Sequence, residues 1–430
     1  MNRISPLISG LLLACATLVA NDSVRTVVLK QDDAQVRFAS KVYQLKHASA
    51  EEILPFINSA VKRYNANGMG AMRLPVLDGD NSKIDEAAVA EMVAYAMEQG
   101  INYYDTAYMY HDGQSEIVMG KVLNKYPREN YYIATKFPGY DKTNMEHVAE
   151  IFEKQLEKTG MEYFDFYLFH NVNETNIDAY LDPQYGIYEY LMEQKKNGRI
   201  RHLGFSTHGD MPVMTRFLEA YGKDMEFCQI QLNYIDYTFQ NDIEKLALLK
   251  SYNIPVWVME PLRGGKLANI DDIYFAKLNT LRAAETKPSW AFRFLQSIPE
   301  VTMILSGMSN FTQLKENIET FSTDAPLNEA EWNTVLGIAD DMIQKIALPC
   351  TSCKYCTEKC PMELNIPALI EIYNEHVFTG GGFLPGMKLS VFPEDKRPNA
   401  CIGCRSCEAV CPQNIKISEA MQDFAEKMKG

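Results

Sequence analysis

"INYYDTAYMYHDGQSE", residues 101–116, opens as a short aromatic strand and runs directly into polar side chains that could carry chemistry. Runs of the same kind recur roughly every 30 residues, a beat that suits parallel strands joined by helical crossovers. They are "YYIATK" from 131, "DFYLFHN" from 165, "IRHLGFSTH" from 200, "FCQIQLNY" from 227, "IPVWVME" from 254 and "VTMILSGM" from 301. Between them lie amphipathic stretches with helical spacing, such as "EAAVAEMVAYAMEQG", "NMEHVAEIFEKQLEKTG" and "NFTQLKENIETF". With "GMGAM" from 68 the chain offers eight strand–helix units, enough to close a (β/α)8 TIM barrel, an α/β fold. An open doubly wound sheet is the other arrangement of such units. It would carry a G-x-G-x-x-G turn after its first strand, and none is found.

Barrels of this kind place their chemistry at the C-terminal ends of several strands. Those ends carry Asp105 and Tyr110 after the second strand, Lys136 closing the third and His170 closing the fourth. Singly, each has a plain reading: a common tyrosine, a solvated lysine, a core histidine. Together at three successive strand ends they are a candidate catalytic set. Tyr110 suits a general acid, and a neighbouring ammonium is expected to lower a phenol's pKa and help it cycle. Lys136 is that ammonium, Asp105 is placed to hold it charged, and His170 to orient a substrate oxygen.

A second signal lies near the end of the chain. "CTSCKYCTEKCP" (350–361) has the spacing C-x2-C-x2-C-x3-C-P, and "CIGCRSCEAVCP" (401–412) repeats it 51 residues later, from Cys350 to Cys401. Disulfides set no such ruler, and zinc sites use one or two C-x2-C pairs without the third cysteine or trailing proline. The spacing is that of a two-cluster ferredoxin, in which the fourth cysteine of each run serves the other cluster. Cys350, Cys353, Cys356 and Cys411 are expected to hold one 4Fe-4S cluster, and Cys401, Cys404, Cys407 and Cys360 the other.

The chain of 430 residues carries a formal charge of −14, which argues against a nucleic-acid partner. Iron-bound thiolates imply a reducing compartment, and the cytoplasm is the expected location. The start, "MNRISPLISGLLLACATLVAND", points the other way: Arg3, an uncharged stretch to Ala20 and small residues outline a secretory signal. "LLLAC" would make Cys15 a lipid-bearing residue and the protein exported or lipid-anchored, although no twin arginine is present. The expected domains are a signal-like segment (1–20), a small α+β module (21–66), the barrel (67–325), a linking helix (326–347) and a ferredoxin-like iron–sulfur domain (348–430). Asn65 to Gly68 reads as the break between module and barrel.

In order along the chain, "DTAYMYHDGQSE", "IATK", "DFYLFHN", "IRHLGFSTH", "CQIQLNY" and "ILSGMSNFTQLKENI" resemble an aldo/keto reductase, and with the cysteine-rich tail the chain resembles the branch of that family carrying a C-terminal two-cluster domain. The resemblance implies a carbonyl reductase using NADPH or NADH. It implies that Ser206 and Gln229 hold the carboxamide of the nicotinamide, and that Gly307, Glu316 and Asn317 line the adenosine end. It also marks departures. The family's Ser-Asn pair after the fifth strand is Ser206-Thr207 here, the stacking tyrosine is replaced by Met259, and only Lys315 offers a cation near a 2'-phosphate. The family's hairpin before the first strand is not recognisable; residues 1–66 stand in its place.

The functional expectation is therefore an NAD(P)H-dependent reductase of a small-molecule carbonyl with an attached electron-transfer domain. A hydride carrier moves two electrons and a cluster one, so a flavoprotein partner is an expected go-between. The alternatives are an iron–sulfur electron carrier whose barrel is a docking scaffold, and a fusion with an exported N-terminal module.

Overall fold

The computed structural model describes residues 67–350 and 354–429. The signal-like start, the small module and Cys353 lie outside the described residues. Eight parallel strands close on themselves in sequence order: β1 Asn67–Gly70, β2 Tyr103–Asp105, β3 Tyr132–Phe137, β4 Phe164–Val172, β5 Ile200–Thr207, β6 Cys228–Gln231, β7 Val256–Met259 and β8 Val301–Gly307. The ring closes where β1 pairs with β8, Asn67 beside Ile304 and Gly70 beside Gly307. Asn67 and Gly68, which read as a break, are the first residues of β1. The register with β8 recruits them although Asn and Gly are poor strand formers.

A helix follows each strand: α1 Glu86–Glu98, α2 Ser115–Leu123, α3 Val148–Thr159, α4 Ile187–Lys196, α5 Met211–Tyr221, α6 Asp242–Ser251, α7 Lys287–Gln296 and α8 Phe311–Phe321. Their starts are written in the sequence. The Asp85 side chain accepts from the Ala88 amide to begin α1, and Asn310 accepts from Gln313 to begin α8. In α3 Ile151, Phe152, Gln155, Leu156 and Thr159 form one buried stripe, and Gly160 ends the helix in the left-handed region. A capping box of Asn328 and Glu331 opens α9, Glu329–Ile346, which packs on the barrel through Val335, Ile338 and Ala339.

Inside the barrel, strand alternation sorts side chains into layers. Tyr103, Ala134, Leu168, Phe227, Trp257 and Leu305 pack together there, with Phe166 and Met303 against them. Ring centroids 4.1 Å apart for Phe227 and Trp257, and 4.9 Å for Tyr103 and Trp257, describe a dense aromatic plug. Gly68 leaves room for it: a Cβ there would stand 2.7 Å from Leu305 Cδ2 and 2.8 Å from Tyr103 Cδ1. Among the described residues this plug fills the barrel below the strand ends.

Beyond α9, the helices α10 Ile366–Thr379, α11 Phe383–Ser390 and α12 Ile417–Lys427 build a second small core. Leu364, Ile366, Leu369, Ile370, Ile415, Ile417, Met421 and Phe424 are buried in it beside the cysteines. Among the described residues no helix is long and apolar enough to cross a membrane.

Candidate active site

Two residues beyond each member of the plug, on the same inward face, stands a residue with a different character. Tyr103 is followed by Asp105, Ala134 by Lys136, Leu168 by His170, Phe227 by Gln229, Trp257 by Met259 and Leu305 by Gly307. Ser206 is level with them, paired with Gln229 across β5 and β6. Period-2 geometry therefore gathers these residues into one layer directly above an apolar floor.

Lys136 is buried in that layer. Its Nζ donates to Asp105 Oδ1 at 2.5 Å and to the Thr106 carbonyl at 2.8 Å. The same Nζ lies 5.0 Å from the centre of the Tyr110 ring. Burial alone would push the Lys136 ammonium down, but the Asp105 carboxylate and the Tyr110 phenol together hold it above its ordinary value. Burial pushes Asp105 up, and Lys136 offsets that only in part. The pair is thus a buried ion pair aimed at the phenol.

Tyr110 departs from the expectation of a lowered pKa. Burial pushes the phenol above 10, and the Lys136 ammonium pulls it only part of the way back. The loss of hydration at the barrel mouth outweighs one ammonium that is already shared with a carboxylate. The phenol is therefore kept protonated. His170 meets Tyr110 edge-on, ring centroids 6.0 Å apart, and Tyr140 at 5.1 Å. Burial, then Lys136 and His208, hold the His170 imidazole well below 6.5, so it is neutral near pH 7.

A buried polar network behind the barrel wall fixes these groups, and the sequence gives little warning of it. Glu116 Oε1 accepts from Thr135 at 2.5 Å and from Gln155 at 2.8 Å, and Glu116 Oε2 pairs with Lys158 at 2.6 Å. Gln155 Nε2 also donates to the Lys136 carbonyl, and Lys158 to the Tyr108 carbonyl. One carboxylate therefore braces both the strand end of Lys136 and the loop carrying Tyr110. His111 holds the other side of that loop, its Nε2 accepting from the Leu74 amide at 3.0 Å.

The residues expected to hold the cofactor divide into two groups. Gln229 Oε1 is buried without a partner, an acceptor that fits the N–H groups of a carboxamide. Ser206 Oγ accepts from the Asn171 amide at 2.8 Å. Met259 is half-buried at the end of β7, and Gly307 is exposed at the end of β8. Glu316 and Asn317 lie instead on α8: Glu316 is exposed, and the Asn317 amide is occupied by Ser306 Oγ at 2.9 Å. Lys315 also turns aside, its Nζ 4.7 Å from the Phe311 ring centre. The cation at the site mouth is Arg73, which sequence reasoning missed. It is exposed just past β1, and its side chain lies against Gly307 and within 3.8 Å of a Cβ position on Gly264. The turn it faces, Arg263–Gly265 after β7, keeps all three residues at positive φ. An arginine beside a glycine-rich turn fits a phosphate.

The described cysteines gather in two places. One apolar cavity is lined by Cys360 together with Cys401, Cys404 and Cys407, and another by Cys411 together with Cys350 and Cys356. Each fourth cysteine thus sits with the opposite run. Lys354 and Arg405, the residues after the second cysteines, both take left-handed φ of 67° and 61°, and Glu363 and Asn414 share φ of 53°. The two runs are copies in backbone as well as in spacing. Among the described residues no three metal-binding side chains converge tightly enough for a single ion. A ring of thiols at this spacing is the donor set that an iron–sulfur cluster takes.

The aldo/keto reductase family profile matches residues 68–340, and the 4Fe-4S dicluster domain profile matches residues 349–416. The chain is 25% identical over 281 residues to the NADH-specific methylglyoxal reductase of Escherichia coli, a stretch covering 55% of this chain and 84% of that protein. It is 24% identical over 276 residues to the L-galactose dehydrogenase of Arabidopsis thaliana, covering 60% and 84%. Among solved structures it is similar to an aldo-keto reductase from Bacillus halodurans in its holo form, with TM-score 0.53 at 22% identity, covering 64% of this chain and 91% of that one. An aldo-keto reductase from Klebsiella pneumoniae in complex with NADPH gives TM-score 0.52 at 19% identity, covering 64% and 91%. At those identities the solved structures speak to the barrel alone.

Proposed function

The chain belongs to the aldo/keto reductase family and is an NAD(P)H-dependent oxidoreductase with an iron–sulfur domain, and from that premise we propose that Asp105, Tyr110, Lys136 and His170 reduce a small-molecule carbonyl to an alcohol. The observation that carries this reading is the buried Lys136–Asp105 pair held 5.0 Å from the Tyr110 ring. A reduced nicotinamide, when bound, supplies the hydride for the carbonyl carbon. Tyr110 delivers the proton that the carbonyl oxygen needs as negative charge develops on it. The Lys136 ammonium offsets the charge left on the phenolate, and Asp105 keeps that ammonium from releasing its own proton. Neutral His170 offers a hydrogen bond that orients the oxygen without competing as an acid. Gln229 and Ser206 are assigned to the carboxamide, Met259 to packing against the ring, and Arg73 to a phosphate of the cofactor. The printed activities of the relatives, a methylglyoxal reductase and an L-galactose dehydrogenase, fit this exchange between carbonyl and alcohol.

The cysteine sets are assigned to two 4Fe-4S clusters, Cys350, Cys353, Cys356 and Cys411 holding one and Cys360, Cys401, Cys404 and Cys407 the other. Cys404 is exposed and Ile402 beside it is 64% exposed, which suits exchange of single electrons with a separate flavoprotein or other carrier at that cluster.

The assay is carbonyl-dependent oxidation of NADPH and NADH across pH. Tyr110 must be protonated to act, and burial holds its phenol above the ordinary value for a phenol. Reduction should therefore lose rate only at pH above the ordinary phenol range, whereas alcohol oxidation, which needs the phenolate, should still be climbing there. An alkaline limb for reduction well below pH 10 would remove Tyr110 as the acid.

A further inference from the structure

The turn after β7 is backbone-strained. Glu260 and Arg263 both hold left-handed φ, at 53° and 46°, without being glycine. Such a conformation is unfavourable for a residue with a side chain and persists only where its surroundings fix it. What fixes Arg263 is a pair of carboxylates. Its Nε donates to Asp236 at 2.9 Å, and its Nη2 donates to both oxygens of Glu375 at 2.8 Å. All three side chains are buried, at 1%, 0% and 4% exposure. Asp236 belongs to the barrel, just past β6. Glu375 is on α10, in the iron–sulfur domain, 112 residues from Arg263.

The same helix makes further contacts with the turn. Lys266 Nζ donates to the Phe378 carbonyl, and the Phe378 ring lies 4.7 Å from the Arg263 guanidinium. Gln240 donates to Glu375 Oε2 at 2.9 Å. At its other end α10 borders a cysteine cavity, with Pro367 and Ile370 lining the space between Cys350, Cys356 and Cys411. From Ile370 to Glu375 is five residues, about 7.5 Å along a rigid helix. A single helix therefore joins the wall of one cluster site to the strained turn beside Arg73.

We propose that Glu375 is a positioning residue for the reductase: by latching Arg263 against Asp236 it holds the β7 turn in its cofactor-binding form, so that assembly of the cluster beside α10 and binding of nicotinamide cofactor are coupled. The inference rests on the reading that this turn binds the cofactor. Coupling of this kind is reciprocal. Loss of the cluster frees α10, the latch loosens, and the left-handed turn relaxes away from the phosphate site.

The test measures NADPH and NADH affinity by fluorescence, together with iron content, on the full chain. Glu375→Ala should keep its iron and weaken cofactor binding by about tenfold. Glu375→Gln, which keeps the side chain's size and one acceptor, should fall between and covers the case in which the alanine variant fails to fold. Cys411→Ala, which breaks the cluster site beside α10, should weaken cofactor binding to a similar degree. In the Glu375→Ala background it should add little further loss, because both changes act through one latch. Unchanged affinity in a fully iron-loaded Glu375→Gln or Glu375→Ala would overturn the proposal, as would full additivity with Cys411→Ala. If no form binds either nicotinamide cofactor, it is the reductase reading that fails, a result distinct from a failed latch.

Discussion

Tyr110→Phe should lower kcat/KM for carbonyl reduction by about 10²–10⁴-fold, the range general acid catalysis contributes. The substitution removes one hydroxyl and leaves the ring that packs edge-on against His170. Cofactor affinity should therefore hold, and so should the Lys136–Asp105 pair beneath. The variant is a cleaner test than Lys136→Ala, which strands Asp105 as a buried unpaired charge at a cost of about 3–5 kcal/mol. Steady-state kinetics beside a cofactor titration separates the two effects. Turnover unchanged in Tyr110→Phe would mean that another group supplies the proton.

Cys360→Ala should remove about half of the iron from a protein that, isolated anaerobically, carries about eight irons per chain. Although Cys360 belongs to the upstream run, it lines the cavity of Cys401, Cys404 and Cys407. The crossing is read from paired variants. Cys360→Ala combined with Cys404→Ala should lose little more iron than either alone, since the two are assigned to one cluster. Cys360→Ala combined with Cys356→Ala should lose nearly all of it. The reverse pattern, or stoichiometric zinc in place of iron, would contradict the assignment.

Much of this molecule is legible in its sequence because strands alternate. The run that ends in Leu168 and His170 shows both the floor and the site, since an inward residue's successor two positions on is inward too. The iron–sulfur domain was legible because the spacing of its cysteines is local. The first strand was legible only from Gly68, in "GMGAM"; Asn67, which reads as part of a break, is recruited by β8 rather than by its own propensity. The direction of the Tyr110 shift was hidden as well, since the burial that outweighs Lys136 is a property of the assembled mouth. Arg73 and the Glu375–Arg263 latch were beyond reach for a similar reason. Nothing near residue 263 announces a partner 112 residues away, and an arginine in a glycine turn reads as a solvated charge. Lys315 shows the converse: it has the right neighbours in sequence, and the helix turns it toward Phe311.

Isotope transfer reads out both hydride delivery from a nicotinamide to a carbonyl in the barrel and the part Tyr110 plays as proton donor. The full chain is incubated anaerobically with NADPH or NADH deuterated at C4 and with a panel of aldehydes and ketones, and the alcohol is analysed by mass spectrometry. Deuterium should appear on the carbinol carbon, one atom per cofactor oxidised, and should nearly disappear in Tyr110→Phe. Cofactor oxidised with no deuterium in any alcohol, its electrons passing instead to the clusters, would rule out hydride transfer to a carbonyl and make the barrel a scaffold for the iron–sulfur domain.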